Sequence, residues 1–274
     1  MNRLSPYLVS ILYVGVALPV TAQEQGDRTL LAVVAHADDE FLISPLLARY
    51  AREGADVHLA IVTRGEKWAP QTDLAPGDEI AAVRAAEARC ATEALGINPP
   101  IQFSFDDGSL GERVTPPWAT LSRVEKELRE LFVRVQPDVV ITWGPEGGYG
   151  HTEHRLVGAV VTQLVQRGGE GVPGHLLYAG IPSERVPEEP QPGDLPWEGT
   201  ALEYLTVQVP YTEADLEAVR ASFACYESQF PAEVLQFGAS YIHQALWQGK
   251  VFLRPWFGNV RGDDVFVLEV GARE

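Results

Sequence analysis

The chain has 274 residues, 46% of them hydrophobic, which is enough to bury one sizeable core. Asp and Glu number 38 against 21 Lys and Arg, giving a net charge of -17. A field of that sign repels nucleic acid and acidic lipid and leaves neutral or cationic ligands as the natural partners.

The first segment reads as an export signal. Arg3 supplies a positive start, Leu8 to Val20 form an apolar run too short to span a bilayer comfortably, and Ala22 precedes the polar Gln23-Glu24-Gln25. Residues 1–22 are expected to be a signal peptide cleaved near Ala22. That leaves residues 23–274 as one domain delivered to the periplasm or the extracellular space, with no stable membrane anchor. Cys90 and Cys225 are the only cysteines. Export permits a disulfide between them, two buried free thiols fit equally well, and the spacing does not suggest a zinc site built on cysteine.

Leu30 to Ala35 is a continuous apolar run of strand length. Phe41 to Glu53 has helical periodicity and stops at Gly54. A strand over Val57 to Thr63, a helix over Asp78 to Leu95 closed by Gly96, and a short strand over Ile101 to Phe105 follow. A helix from Pro117 to Val135, a strand from Asp138 to Trp143, a helix from Thr152 to Arg167 and a strand from Leu176 to Ile181 complete the alternation. The strands are apolar throughout, which predicts an α/β fold, a Rossmann-like parallel sheet with helices on both faces. Ser183 to Thr200, dense in Pro, Glu and Gly, reads as a surface loop forming a lid or rim. A strand over Leu202 to Val209, a helix over Thr212 to Glu227 with Thr212 as N-cap, and C-terminal strands near Val251 to Leu253 and Val265 to Val270 end the chain.

Two polar clusters fall at strand ends, where ligands bind in such sheets. His36-Ala37-Asp38-Asp39-Glu40 follows the first strand, and Gly147 to His154 (GGYGHTEH) follows the fourth. In a doubly wound order these two strands are neighbours. A catalytic zinc takes three protein ligands and keeps one position open. His36, one of Asp38 and Asp39, and one of His151 and His154 supply that count. The two histidines, three apart, are expected to share one face of the helix's first turn. The remaining aspartate can serve as general base, and Tyr149 with the other histidine can steady an oxyanion and protonate a departing amine. This set suits metal-assisted hydrolysis of an amide. It requires the imidazoles of His36 and His154 to lie within about 8 Å, since each zinc–nitrogen bond spans about 2 Å. A glycine-rich phosphate turn is missing after the first strand, which argues against a dinucleotide.

These residues resemble the PIG-L/LmbE family of zinc-dependent de-N-acetylases. Residues 35 to 40 read AHADDE against the family's AHPDDE, and residues 147 to 154 read GGYGHTEH against GxYGHxDH. Weaker family features follow in order: Thr63-Arg64-Gly65-Glu66, Arg84 with Glu87, Asp107-Gly108 and Ser228-Gln229. The resemblance spans about residues 28 to 230. It implies an LmbE-like deacetylase domain that removes an N-acetyl group from an amino sugar or glycoconjugate. His36, Asp39 and His154 would be the zinc ligands, although another divalent metal could serve. Asp38 would be the base, His151 and Tyr149 the oxyanion and leaving-group partners, and Arg84 and Asp107 the sugar contacts. Ala37 stands where the family has proline, and Glu153 where it has aspartate. Glu40 reads as a supporting group. Trp68, in a loop, can stack on a sugar, whereas Trp143 reads as core packing. His58, His175 and His243 read as structural or surface residues. The same machinery could instead cleave another amide, and a metal-holding carbohydrate-binding protein without turnover would share the motifs.

Overall fold

The computed structural model describes residues 28–111, 119–189 and 195–271. The expected signal peptide, the start of the helix expected at Pro117 and part of the Pro-rich loop lie outside the described residues.

A parallel sheet forms first. Strands β1 (Thr29–Val34), β2 (Asp56–Thr63), β3 (Ile101–Phe105), β4 (Val139–Trp143) and β5 (His175–Gly180) pair in the order β3-β2-β1-β4-β5. Every pairing among these five is parallel, and β1 is hydrogen-bonded to β4. Because successive strand side chains point to opposite faces, β1 feeds two cores. Leu30, Ala32 and Val34 join one, and Leu31 and Val33 the other. Helices α1 (Ser44–Arg52) and α2 (Asp78–Leu95) cover the first face. Helices α3 (Ala119–Val135) and α5 (Thr152–Arg167) cover the second, with α4 a distorted single turn at Gly147–Gly150.

The C-terminal strands extend the sheet with mixed polarity. β6 (Val207–Pro210), β7 (Lys250–Pro255), β8 (Val260–Asp264) and β9 (Val267–Val270) continue the order as β5-β7-β6-β8-β9. β7 runs antiparallel to both β5 and β6.

Several boundaries differ from the sequence reading. The helix expected from Phe41 is split into a 3-10 turn over Asp39–Ile43 and α1, because Pro45 near the start of α1 favours a fresh first turn. The strand expected from Leu202 begins with a 3-10 turn, and only Val207 onward pairs. Helix α6 (Glu213–Phe223) is closed at its start by a capping box of Thr212 and Asp215, as the N-cap reading anticipated. It ends before Glu227 because Tyr226 and Ser228 are drawn into the core. Helix α7 (Ala232–Ile242) and strand β8 were not expected.

Two features fix the site's surroundings. Cys90 of α2 and Cys225 form a disulfide with Cα atoms 5.8 Å apart, which resolves the open choice in favour of the bridge. Gly158 lets α5 press against β4: a Cβ there would lie 2.2 Å from the Trp143 carbonyl oxygen. That close approach carries His154, one turn earlier on α5, to the end of β4.

Candidate metal centre and active site

The two clusters meet at the C-terminal edge of β1 and β4. The rings of His36 and His154 lie 5.3 Å apart, inside the limit that a shared zinc imposes. Asp39 sits between them. Its Oδ2 accepts hydrogen bonds from the backbone N–H groups of Ala35 (3.0 Å) and His36 (2.8 Å), locking the carboxylate in the turn. Oδ2 is also 3.5 Å from His36 Nδ1, while Oδ1 is 3.0 Å from His154 Nε2.

The His154 Nε2 atom carries information. It is fully buried, yet it makes no hydrogen bond among the described residues, despite its nearness to Asp39. Its other nitrogen, Nδ1, lies 3.1 Å from the Gly147 carbonyl, which accepts a hydrogen bond from Nδ1–H and so leaves Nε2 as a bare acceptor. A buried acceptor beside a carboxylate oxygen is unfavourable unless a cation lies between them. The ring is further fixed by stacking on Trp143 (4.5 Å, 7° between planes). Trp143 is a buried core residue, as the sequence reading had it, and in addition orients His154.

His36 is aimed in the same way. Its Nε2 lies 3.0 Å from Glu153 Oε2 and 3.5 Å from Asp107 Oδ1, so Nδ1 is the nitrogen turned toward Asp39. Glu153 also accepts from the backbone N–H groups of Gly108 and Leu110. Two triads have donor atoms within 4.8 Å of one another: His36, His151 and His154, and His36, Asp107 and Glu153. The second triad is already engaged in hydrogen bonds through Glu153, so the open donors are those on the Asp39 side. Two imidazoles and a carboxylate fit a divalent metal of the zinc type.

Charge is tuned around this point. Burial works against ionising Asp39, but His154 and His36 outweigh it and hold the carboxyl well below the usual range. Burial likewise disfavours a charged His36, and Asp39, Asp107 and Glu153 reverse that and hold it well above the ordinary histidine value. Asp38 behaves oppositely. Burial pushes its carboxyl up to about 6, with Arg84 opposing and Asp39 adding to the rise. Asp38 has a left-handed backbone (φ 90), so its side chain leaves the turn in a different direction from that of Asp39. Such a conformation is strained for a non-glycine residue and is held by its surroundings.

Arg84 does the holding. It is only 4% exposed and donates to the carbonyls of Ala37 and Trp68 and to Asp38 Oδ2 (3.3 Å). Glu87, three residues on, does not pair with Arg84 and accepts instead from the N–H and hydroxyl of Ser228. Asp107 faces His36, with its N–H given to Glu66. Neither Arg84 nor Asp107, both expected at the sugar, lines the open cleft, whereas Trp68, 64% exposed, does.

His151 and Tyr149 stand over the centre. His151 is the extended residue before α5 and not part of its first turn, because α4 breaks the helix at Gly148 and Tyr149. Its ring still lies 4.4 Å from that of His154 and 4.9 Å from that of His36. Burial, then His154 and His36, lower its pKa. Its Nδ1 is buried without a partner among the described residues. Tyr149, 5.3 Å ring to ring from His154, is kept protonated by burial and by the charges of Asp39 and Asp38. Glu40, fully buried, accepts a hydrogen bond from Tyr226 and is pushed up to about 7 by burial.

Residues 31–165 match the family model described as GlcNAc-PI de-N-acetylase, PIG-L. These residues form a domain of this family. Two relatives carry the name 1D-myo-inositol 2-acetamido-2-deoxy-alpha-D-glucopyranoside deacetylase. That of Rhodococcus jostii (strain RHA1) is 35% identical over 53% of this chain and 55% of its own length. That of Rhodococcus opacus (strain B4) is 30% identical over 70% of this chain and 65% of its own. The chain thus spans less than two thirds of the length of either relative. The fold is also that of N,N'-diacetylchitobiose deacetylase from Pyrococcus horikoshii, with a TM-score of 0.61 at 18% identity over 83% of each chain.

Proposed function

We propose that this chain is a zinc-dependent hydrolase that removes the acetyl group from the nitrogen of an amino sugar, and that it works outside the cytoplasm. The observation that carries the proposal is the convergence of His36 Nδ1, Asp39 and the unpartnered His154 Nε2 beside an Arg84-held Asp38. The names of the Rhodococcus relatives supply the amino-sugar amide as the substrate class.

His36, Asp39 and His154 would hold the metal. Bound there, zinc would polarise the amide carbonyl and make water acidic enough to attack near neutral pH. The side chains supply the remainder. Asp38, desolvated and steadied by Arg84, accepts the proton of the attacking water. Tyr149 keeps its hydroxyl proton and presents it to the developing oxyanion. The departing amine receives the proton that Asp38 took from water, and His151, a neutral imidazole with depressed basicity, can relay it by accepting at one ring nitrogen and donating from the other. The surrounding rings of Trp143 and Tyr149 limit water, which strengthens each of these contacts.

Export is supported by the composition of residues 1–22 and by the Cys90–Cys225 disulfide, since such bridges persist in oxidising compartments. Sequencing the N-terminus of the mature protein should return a chain beginning near Gln23.

The activity is tested by a screen for amine release from N-acetylated glycosides and from simple peptide amides, with and without a chelator. Chelator-sensitive release from the sugars is the expected result. Release from peptides alone would transfer the machinery to another amide. Sugar binding without amine release would indicate a binding protein.

A further inference from the structure

Asp38, Asp39, Trp143 and Tyr149 form one end of a cleft of about 1050 Å³. The far wall is helix α7, which carries large apolar side chains on an exposed face beside the polar Glu233 and Gln236. Val234, Phe237 and Tyr241, spaced three and seven apart on one face, line the cleft while remaining 39%, 56% and 59% exposed. Their partners across the opening are Trp68 and Trp197. Helix α7 cannot tilt inward to bury this face by itself: Gly238 is pressed so closely on α6 that a Cβ there would lie 2.7 Å from the Phe223 ring.

An apolar face held open and continuous with the reacting centre is a substrate surface. Its charges narrow the ligand. The acids Asp38, Asp39, Glu188, Glu198 and Glu233 line the cleft, and no Lys, Arg or His does so among the described residues. Away from the metal centre, a phosphate or carboxylate on the ligand would find no basic side chain to pair with and would meet the repulsion of Glu188, Glu198 and Glu233.

We infer that the substrate is a neutral amphiphile: an amino-sugar amide carrying an alkyl or aromatic group that lies along α7, with no anionic headgroup. This rests on the amino-sugar amidase reading of the site. The chain could be attached as the glycosidic aglycone or as the acyl group itself. In either position the recognising chemistry is the same apolar wall.

Binding is read from tryptophan fluorescence, which does not depend on turnover. The ligands are methyl N-acetyl-β-D-glucosaminide, its octyl counterpart, N-octanoylglucosamine and octyl phosphate. Each methylene moved from water into an apolar wall is worth a factor of about four at most. At least one neutral octyl ligand should therefore bind ten or more times tighter than the methyl glycoside, and octyl phosphate should bind more weakly than either. Whichever octyl ligand gains shows where the chain is attached. In Phe237→Asp/Tyr241→Asp, and separately in Val234→Asp, the octyl-to-methyl ratio should fall toward one, with an unchanged urea midpoint certifying the fold. Equal binding of methyl and octyl ligands overturns the inference, as does tighter binding of octyl phosphate or an octyl preference that survives both variants. A dimer in sedimentation that dissociates in the double variant overturns it too, because a second copy would then be the occupant. If the octyl preference holds and no amine is ever released, it is the hydrolase reading that fails.

Discussion

Glu153 holds His36 by its outer nitrogen. Its Oε2 lies 3.0 Å from His36 Nε2 across 117 residues of sequence, and the same carboxylate takes the N–H groups of Gly108 and Leu110. Three donors therefore converge on one acceptor-only group, which fixes the tautomer that leaves Nδ1 free for a metal. Glu153→Gln would set an amide N–H₂ against one of these donors. We expect metal affinity to fall about 10- to 100-fold, measured by competition with a chelator of known affinity. Retention of full affinity would remove Glu153 from the ligand-orienting role.

Asp38 has no bond to the neighbouring ligand groups and is held instead by Arg84. Asp38→Asn should keep the metal and lose about 10²- to 10⁴-fold in kcat/KM, the usual worth of a positioned general base. Steady-state kinetics together with metal content checks this. A native rate would mean that another group takes the proton.

The Cys90–Cys225 bridge closes a loop of 135 residues and ties α2 to the segment carrying Tyr226 and Ser228. Cys90→Ser/Cys225→Ser should cost about 2–4 kcal/mol in urea unfolding, from the added freedom of the unfolded chain. An unchanged midpoint would show that the bridge contributes nothing to stability.

Asp215 gives a pH test. Burial raises its pKa, but Arg52 and Thr212 outweigh that and leave it below the usual carboxylate value. A folded pKa below the unfolded one stabilises the protein above the unfolded value, and that contribution is lost as pH falls through the folded one. Asp215→Asn should therefore cost about 1–2 kcal/mol at pH 7, as lost caps do, with the difference shrinking below about pH 4. Urea midpoints at pH 7 and pH 3.5 decide it; a difference that grows in acid contradicts the assignment.

The sequence carried the parallel core well, because each of its elements has a local signal. Helix α2 ends at Leu95 where Gly96 takes a left-handed conformation, and α5 ends at Arg167 before Gly168. The mixed C-terminal region was harder. β8, reading VRGDD, has no apolar alternation and pairs near the sheet's edge, and the face of α7 looks toward an open cleft and not into the core. In the site, the residues at β-strand ends were legible as motifs, and the juxtaposition of β1 and β4 followed from strand order. What could not be read was tertiary. Trp143 stacks on His154 because Gly158 admits α5 so close to β4. Arg84 reaches Asp38 across 46 residues and leaves Glu87 to Ser228. Neither pairing has a spacing that a sequence pattern records.

His36, Asp39 and His154 are expected to bind one divalent cation together. Elemental mass spectrometry of the purified wild type, His154→Ala, Asp39→Ala and His151→Ala proteins measures this directly. We predict one equivalent of zinc in the wild type and in His151→Ala, and a loss of most of it in the other two. A full equivalent in His154→Ala or Asp39→Ala, or its loss on changing His151 alone, would contradict the assignment.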